Sequence, residues 1–158
     1  ALAVRENLSI AALPKLLMPG GFINARQENQ LIDEYQRMLN IRMASADQHV
    51  SNLSGGNQQK VVIARWMALQ PKLLIVDEPT RGIDVGAKAE VHSLLHDMAA
   101  KGIAVIMISS ELPEILGMSD RIVTVREGRV TGVVNREEAD EETLMKLMTL
   151  GAIAEPVE

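Results

Sequence analysis

The sequence predicts an α/β fold in which a mainly helical first half is followed by a parallel sheet with helices on its faces. Two short apolar runs, "LLIV" and "IAVIMI", are separated by a segment with helical spacing of its apolar residues, which is the order of a βαβ unit. The region before these runs shows helical periodicity. The chain has 158 residues, of which 47% are hydrophobic and 23% charged, so its size and composition are those of a globular domain.

The first half is predicted to contain an irregular segment and two helices. Residues that break any long element are frequent in residues 1–26, namely Pro14, Pro19, Gly20 and Gly21. An amphipathic helix is predicted over about residues 27–43, where the apolar side chains that share one face are Leu31, Tyr35, Met38 and Leu39. A second helix is predicted to begin just after Ser54 and to end before Pro71.

The second half is predicted to alternate strands and helices. A buried strand running into "VDEPT" is followed by a helix that ends near Lys101 and then by a second buried strand. A short helical turn precedes a hairpin in which Glu127 and Gly128 form the turn. A final helix is predicted over about residues 138–148, and the acidic run "REEADEE" is expected to cap its positive end.

Composition excludes several classes of protein. The chain has no cysteine, so neither disulfides nor thiolate metal sites are expected. A net charge of -5 argues against a broad nucleic-acid-binding face, which needs clustered Lys and Arg. No apolar run approaches the roughly 20 residues that span a bilayer. We therefore expect a soluble chain that binds no nucleic acid.

The stretch "NLSGGNQQK" is the first candidate site. A serine followed by Gly55 and Gly56 at the start of a helix brings several backbone N–H groups, together with the positive end of the helix dipole, against a bound anion. The alternative is that Ser54 is an ordinary N-cap on a surface helix, because serine is among the preferred capping residues. These nine residues alone leave both interpretations open.

The second candidate site lies at the end of the first predicted strand. Asp77 and Glu78 follow an apolar run, and ligands bind where strands of α/β sheets end. An aspartate there is suited to holding Mg²⁺, and an adjacent glutamate to orienting or deprotonating an attacking water in phosphoryl transfer. The alternative is a solvated strand end without a chemical role.

The order of these elements resembles the ATP-binding subunits of ABC transporters. The chain contains, in this order, "LSGGNQQK", an amphipathic helix, "LLIVDEPT", "RGID" and "MISSE". In that family the signature, its helix, the Walker B strand, the D-loop and the switch loop follow one another in the same order. The resemblance covers nearly the whole chain. The spelling "LSGGNQQKV" and "DEPTRGIDVGAK" looks closest to the second ATPase half of the subunits that energise bacterial monosaccharide importers.

The resemblance implies a role for each matching residue. In this family the signature closes over ATP held by the opposite ATPase half, with glycines that let the backbone approach the γ-phosphate. Glu78 is implied as the catalytic glutamate and Asp77 as the Mg²⁺ ligand. The implied ATP-binding residues are Ser54, Gly55, Gly56, Asn57, Asp84 and Ser110.

The chain also departs from the family pattern. The phosphate-binding loop G-x-x-x-x-G-K-[ST] and the Q-loop glutamine are absent from this sequence. Residues 1–70 are therefore expected to form the helical signature subdomain and residues 71–158 the C-terminal, Walker B half of the RecA-like core of a P-loop NTPase. The isolated chain is expected to bind ATP poorly and to be inactive.

Two substitutions fall inside the motifs. Asn57 stands where the family usually has glutamine, and we expect a minor effect because the amide is kept. Ser110 stands where the switch loop usually has a histidine, and a serine hydroxyl cannot carry charge or reach as far. We therefore expect the composite site that uses Asp77 and Glu78 to hydrolyse ATP slowly or not at all.

The resemblance also implies partners and a location. These are the other ATPase half of the same polypeptide, membrane permease subunits bound through about residues 11–42 of the helical subdomain, and the cytoplasmic face of the inner membrane. An exposed sheet edge invites self-association of the isolated chain. Two alternatives stay open: a soluble ABC-type ATPase that acts on DNA or ribosomes, and a non-catalytic regulatory half.

Overall fold

A computed structural model describes residues 2–150 of the chain. They form two compact units, which divide between Ile106 and Met107. The assignment of residues 1–70 and 71–158 to two subdomains stays a prediction. The elements in chain order are α1 (Val4–Leu16), α2 (Ala25–Met38), α3 (Gly55–Met67), β1 (Leu73–Asp77), α4 (Val85–Ala100), β2 (Ala104–Ile108), α5 (Leu112–Met118), β3 (Arg121–Arg126), β4 (Arg129–Asn135) and α6 (Glu141–Leu150), with 3₁₀ turns at Val50–Asn52 and Arg136–Glu138.

The N-terminal segment is helical, so the prediction of an irregular segment was wrong for α1. Its buried residues recur every four positions, at Val4, Leu8, Ala12 and Leu16, and pack against α2 and α3. Pro14 lies inside the helix, in its last turn, where it lacks the N–H that would donate to the carbonyl oxygen of Ile10, and the helix ends two residues later. The helix ends before Gly20 and Gly21, whose positive φ angles of 97° and 82° form the turn into α2.

A polar network around the buried Glu28 joins α1 to α2 and to the loop before α3. Arg5 donates to Asp47 at 2.9 Å, to Glu28 at 3.0 Å and to Asn29 at 2.8 Å. The hydroxyl of Ser9 donates to the other oxygen of Glu28 at 2.7 Å. Glu28 is 8% exposed, and both of its carboxylate oxygens have a donor, as the burial of a charge requires.

Helix α2 confirms the predicted amphipathic helix but is shorter than expected. Asn24 caps its first turn by accepting from the backbone N–H groups of Arg26 and Gln27. Ile32, Tyr35 and Leu39 turn inward, whereas Met38, which was expected on the buried face, is 43% exposed. The chain leaves the helix at Asn40, whose φ of 48° is in the left-handed region.

Helix α3 confirms the predicted helix after Ser54 and lies at the centre of the first unit. It packs against both α1 and α4, and its buried side includes Val61 and Ala64. The hydroxyl of Tyr35 donates to the carbonyl oxygen of Met67 at 2.8 Å and so fixes the end of α3 against α2. Burial raises the pKa of the Tyr35 phenol, with a smaller contribution from the charge of Glu34.

The predicted βαβ order is confirmed, but the expected burial of its strands was wrong. β1 and β2 form a two-stranded parallel sheet, and the backbone N–H of Ala104 donates to the carbonyl oxygen of Lys72 at 3.0 Å. Leu74 and Val76 are buried, whereas Leu73 is 47% and Ile75 is 60% exposed. Successive side chains of a strand point to opposite faces, so one face of β1 is covered and the other is exposed.

The second unit contains the predicted hairpin and final helix. β3 and β4 pair antiparallel, and the turn residues Glu127 and Gly128 both have positive φ, 50° and 77°, as a type I′ turn requires. Helix α6 covers this hairpin and begins after Asp140, which accepts from the backbone N–H of Thr143 at 2.7 Å. That hydrogen bond is the main reason that the pKa of Asp140 is lowered.

Of the helices within residues 2–150, none is both long and apolar enough to cross a membrane.

The helical packing of α1 leads to a test by truncation. Leu8 is fully buried, and we expect Leu8→Ala to lower the free energy of unfolding by about 3 kcal/mol through lost contacts and a cavity. The control is Ile10→Ala on the same helix: Ile10 is 49% exposed, so a change within about 0.5 kcal/mol is expected. Urea unfolding followed by the fluorescence of Trp66, the single tryptophan, measures both. Equal costs for the two variants would contradict the observed orientation of α1.

Candidate functional site

Ser54 occupies the N-cap position of α3, but its side chain does not cap the helix. Its backbone is extended, with φ of -62° and ψ of 154°, and its carbonyl oxygen accepts the first helical hydrogen bond from Gln58 N at 2.9 Å. Its hydroxyl oxygen accepts instead from Nδ2 of Asn57 at 2.8 Å. Ser54 therefore lies at the N-cap position, as the alternative of an ordinary serine cap expects. Its side chain does not make the hydrogen bond to the helix that such a cap would make.

Asn57 connects the start of α3 to the chain that follows α2. Its Oδ1 accepts from the backbone N–H of Arg42 at 2.8 Å. The same amide thus bonds Ser54 on one side and the loop on the other. Sequence reasoning treated Asn57 as a residue of the ATP site with a minor effect, and its link to Arg42 had no signal in the sequence.

Close packing inside the chain requires a glycine at position 56 and leaves little room for a side chain at Gly55. A Cβ on Gly55 would lie 3.2 Å from Cγ2 of Ile83, and a Cβ on Gly56 would lie 2.6 Å from the Cβ of Ala87. The second distance is shorter than any normal contact between side chains. Gly56 is buried and Gly55 is exposed, so the first turn of α3 lies against α4 on one side and remains open on the other.

Asp84 lies on the segment that packs against these glycines. It is the N-cap of α4 and accepts from the backbone N–H of Ala87 at 2.9 Å. The structure thus brings Asp84 close to the residues Ser54 to Asn57 along the chain of contacts through Ile83 and Ala87. The carboxylate stabilises the helix that supports the glycines, a role that the sequence did not predict.

An ion pair between the buried Lys60 and the half-exposed Glu90 joins α3 to α4 beyond the glycines. Nζ of Lys60 donates to Oε2 of Glu90 at 2.6 Å and to the carbonyl oxygen of Asn40 at 3.2 Å, and the Lys60 side chain is 5% exposed. Arg42 lies 4.0 Å from the other oxygen of Glu90. Hydrogen bonding to Lys60, followed by the charge of that lysine, lowers the pKa of Glu90. A lysine on the buried face of α3 was the sequence signal that could have indicated such a partner.

Asp77 and Glu78 lie where β1 ends, as predicted. Asp77 is exposed, and Glu78 is partly buried with a φ of 48°, which is uncommon for a residue other than glycine and occurs at functional sites. The carbonyl oxygen of Glu78 accepts from Arg81 N at 3.1 Å, which closes a turn. Within residues 2–150 no group of three His, Asp or Glu side chains is placed to hold a metal ion. A single exposed carboxylate still fits Mg²⁺ bound jointly with substrate phosphates.

Ser110 lies in the second unit, after β2. It is exposed and precedes α5, and its neighbour Ser109 accepts from the backbone N–H of Glu111 at 3.0 Å through its hydroxyl oxygen. The switch-loop role of Ser110 stays a prediction. The structure thus brings the segment that ends at Asp84 together with the start of α3, that is, with Ser54, Gly55, Gly56 and Asn57. The roles of all these residues in binding ATP stay predictions.

The contact between Gly56 and Ala87 leads to a rescue experiment. We expect Gly56→Ala to lower the free energy of unfolding by about 1 kcal/mol or more, because the clash exceeds the gain in helix propensity. Adding Ala87→Gly should restore most of that loss by removing the methyl group that is struck. The control is Gly117→Ala in α5, where a Cβ meets no atom within 4 Å and a gain of up to about 1 kcal/mol is expected. Chemical denaturation measures all three, and failure of the rescue would contradict the contact.

The Lys60–Glu90 pair makes stability depend on pH. The pKa of Glu90 is lower in the folded chain, so its contribution is present above the pKa of an unfolded glutamate, about 4.3, and is lost as the pH falls through the folded value. We expect Glu90→Gln to destabilise the chain near neutral pH and the difference from wild type to shrink below about pH 4.3. Unfolding free energies measured from pH 3 to 7 give this comparison. In a Lys60→Met background the same substitution should have little pH-dependent effect; a difference constant with pH would contradict the pair.

Comparisons with known proteins show which family the chain resembles. The family model described as ABC transporter matches residues 1–81. The chain is 52% identical, over 96% of its length, to a putative ribose/galactose/methyl galactoside import ATP-binding protein of Rhizobium meliloti, and 51% identical, over 94% of its length, to the ribose import ATP-binding protein RbsA of Bacillus subtilis. It spans 29% and 30% of the length of these two relatives.

Solved structures of ATP-binding cassettes share the fold. A metal-chelate type ABC transporter in an inward-facing conformation matches with a TM-score of 0.78 at 19% identity, over 94% of this chain and 58% of that one. A dimeric cassette bound to ADP and phosphate matches with a TM-score of 0.71 at 24% identity, over 85% of this chain and 57% of that one. The predicted fold class, a partial P-loop NTPase fold of the ABC ATPase type, is confirmed. Since the family model matches residues 1–81, just over half of the chain, the chain belongs to the ABC transporter family.

Proposed function

We propose that the chain is part of the ATP-binding and ATP-hydrolysing subunit of a sugar ABC importer, and that its signature completes the ATP site of the opposite ATPase half. One observation carries the proposal: Ser54 begins α3 without capping it, so its hydroxyl and the first-turn N–H groups form a donor surface for an anion. The naming of the relatives as ribose and galactose import proteins supports the sugar and import part. It also favours a transport subunit over a soluble ATPase acting on DNA or ribosomes.

The proposed mechanism assigns a task to each part of the site. The N–H groups at Gly55 and Gly56, with the hydroxyl of Ser54, bind the γ-phosphate of ATP held by the facing half. Glu78 orients the water that attacks the phosphate in the other composite site, beside Asp77. Asp77 would hold Mg²⁺, which when bound neutralises charge on the β- and γ-phosphates. The fixed contact between α3 and α4 keeps this donor surface in place.

The proposal includes partners and a location. The facing half belongs to the same polypeptide, and permease subunits of the membrane bind through about residues 11–42, so the protein lies on the cytoplasmic face of the inner membrane. The turn between α1 and α2 supports this contact, because Phe22 is 73% exposed next to the half-exposed Leu17 and Met18. The exposed face of β1, with Ile75 60% exposed, favours self-association when the chain is separated from its partners.

A catalytically degenerate half is the second candidate, and Ser110 is the observation that favours it. A serine has neither the charge nor the length of the histidine that the switch loop usually has. In this version the site that uses Asp77 and Glu78 binds ATP without turning it over, while Ser54 to Gly56 serve the competent site. Measuring hydrolysis at each composite site separately decides between the two.

The test uses substitutions in the full-length protein with its permease in membrane vesicles. Gly55→Asp should abolish ATP hydrolysis and uptake of labelled ribose, because its carboxylate repels the phosphate and its Cβ lies against Ile83. Glu78→Gln should barely change turnover if the site of this half is slow. Gly117→Asp, a matched substitution where a Cβ meets no atom within 4 Å, is the control and should keep activity. The opposite ranking of Gly55→Asp and Glu78→Gln would refute the assignment.

A further inference from the structure

Two consecutive hydrogen bonds of equal length lead from the backbone at Arg42 to the hydroxyl of Ser54. The N–H of Arg42 donates to Oδ1 of Asn57 at 2.8 Å, and Nδ2 of Asn57 donates to Oγ of Ser54 at 2.8 Å. Asn57 is in the first turn of α3, three residues after Ser54, so the amide lies beside the start of the helix. The bonds therefore tie the hydroxyl to a fixed point of the backbone.

The orientation of the Asn57 amide follows from its partners. A backbone N–H donates and cannot accept, so the amide atom that faces Arg42 must be the oxygen. The nitrogen is then the atom that faces Ser54. If the Asn57 amide were flipped, its NH₂ group would face the backbone N–H of Arg42, and both groups are donors. The flipped orientation is therefore excluded on chemical grounds.

This orientation determines what the serine hydroxyl offers to a ligand. Since Oγ of Ser54 accepts from Asn57, its own proton remains available for another acceptor. The neighbouring backbone groups of the first turn are N–H donors, so they cannot accept this proton. We infer that Asn57 is a positioning residue that keeps the Ser54 hydroxyl as a donor toward the phosphate of ATP. The inference rests on the proposed function and assigns Asn57 a role other than direct contact with the nucleotide.

The test is a double-mutant cycle in the full-length protein. Asn57→Leu is a neutral substitution of similar size that removes the bond to Ser54, and Asn57→Asp keeps the acceptor for Arg42 but can only accept from the hydroxyl. Each is made with Ser54 and with Ser54→Ala, and the ATP dependence of hydrolysis gives KM and kcat. We expect each substitution to raise KM for ATP by about tenfold more when the Ser54 hydroxyl is present, with a smaller change in kcat.

The cycle separates positioning from other effects of the substitutions. The added charge of Asn57→Asp acts with and without the hydroxyl, so it cancels in the comparison. Gln59→Glu, on the opposite side of the same helix, tests for a general effect of charge, and Asn57→Gln, which keeps both a donor and an acceptor, should restore most of the affinity. Thermal unfolding of each variant identifies any loss of folding.

The outcomes distinguish this inference from the proposed function. Equal changes in KM with and without the Ser54 hydroxyl, or no change for Asn57→Leu and Asn57→Asp, would overturn the role of Asn57 alone. A full-length protein that hydrolyses no ATP, or hydrolysis that is insensitive to Gly55→Asp, would overturn the proposed function and this inference together. A hydroxyl-dependent rise in KM with unchanged melting temperature would support the inference.

Discussion

The approach of Gly56 to Ala87 is the contact on which the rest of the site depends. A larger side chain than the hydrogen of Gly56 does not fit there, so the first turn of α3 packs closely against the first turn of α4. Asp84 stabilises the start of α4 from the other side of this contact. The Lys60–Glu90 pair closes the same interface one turn further along, and because Lys60 is buried, loss of Glu90 would leave its ammonium group without a charged partner.

The site also has a consistent electrical polarity. The start of α3 presents N–H groups and a hydroxyl that accepts a hydrogen bond from Asn57, so it offers donors to an incoming group. The end of β1 presents the opposite character, with Asp77 exposed and Glu78 held in a left-handed backbone conformation. One end suits an anion and the other suits a cation or a water that must lose a proton. The donors at the start of α3 and the carboxylates at the end of β1 lie in the same compact unit.

Much of the fold could be predicted from the sequence because its elements are strongly periodic, and the failures have physical reasons. Helix α1 was missed because prolines and glycines outweighed the spacing of Val4, Leu8 and Ala12, and the packing of these side chains keeps the helix despite Pro14 in its last turn. An apolar run does not reveal whether one or both faces of a strand are covered, which explains the error at β1. At the candidate site, the sequence was enough to predict which residues are of interest. The hydrogen bond from the backbone N–H of Arg42 to the Asn57 side chain could not be predicted, because it joins groups distant in sequence and leaves no pattern in the residue order.

Side chains alternate between the two faces of β1, so neighbouring positions of this strand have different roles. Leu74 and Val76 take part in the interior of the first unit, so replacing them changes how firmly this chain holds together. Leu73 and Ile75 face outward, and their apolar character matters only through whatever molecule or segment shields them from water. The five residues of β1 thus alternate between a covered and an exposed face, so the consequence of a substitution changes at each step along the backbone.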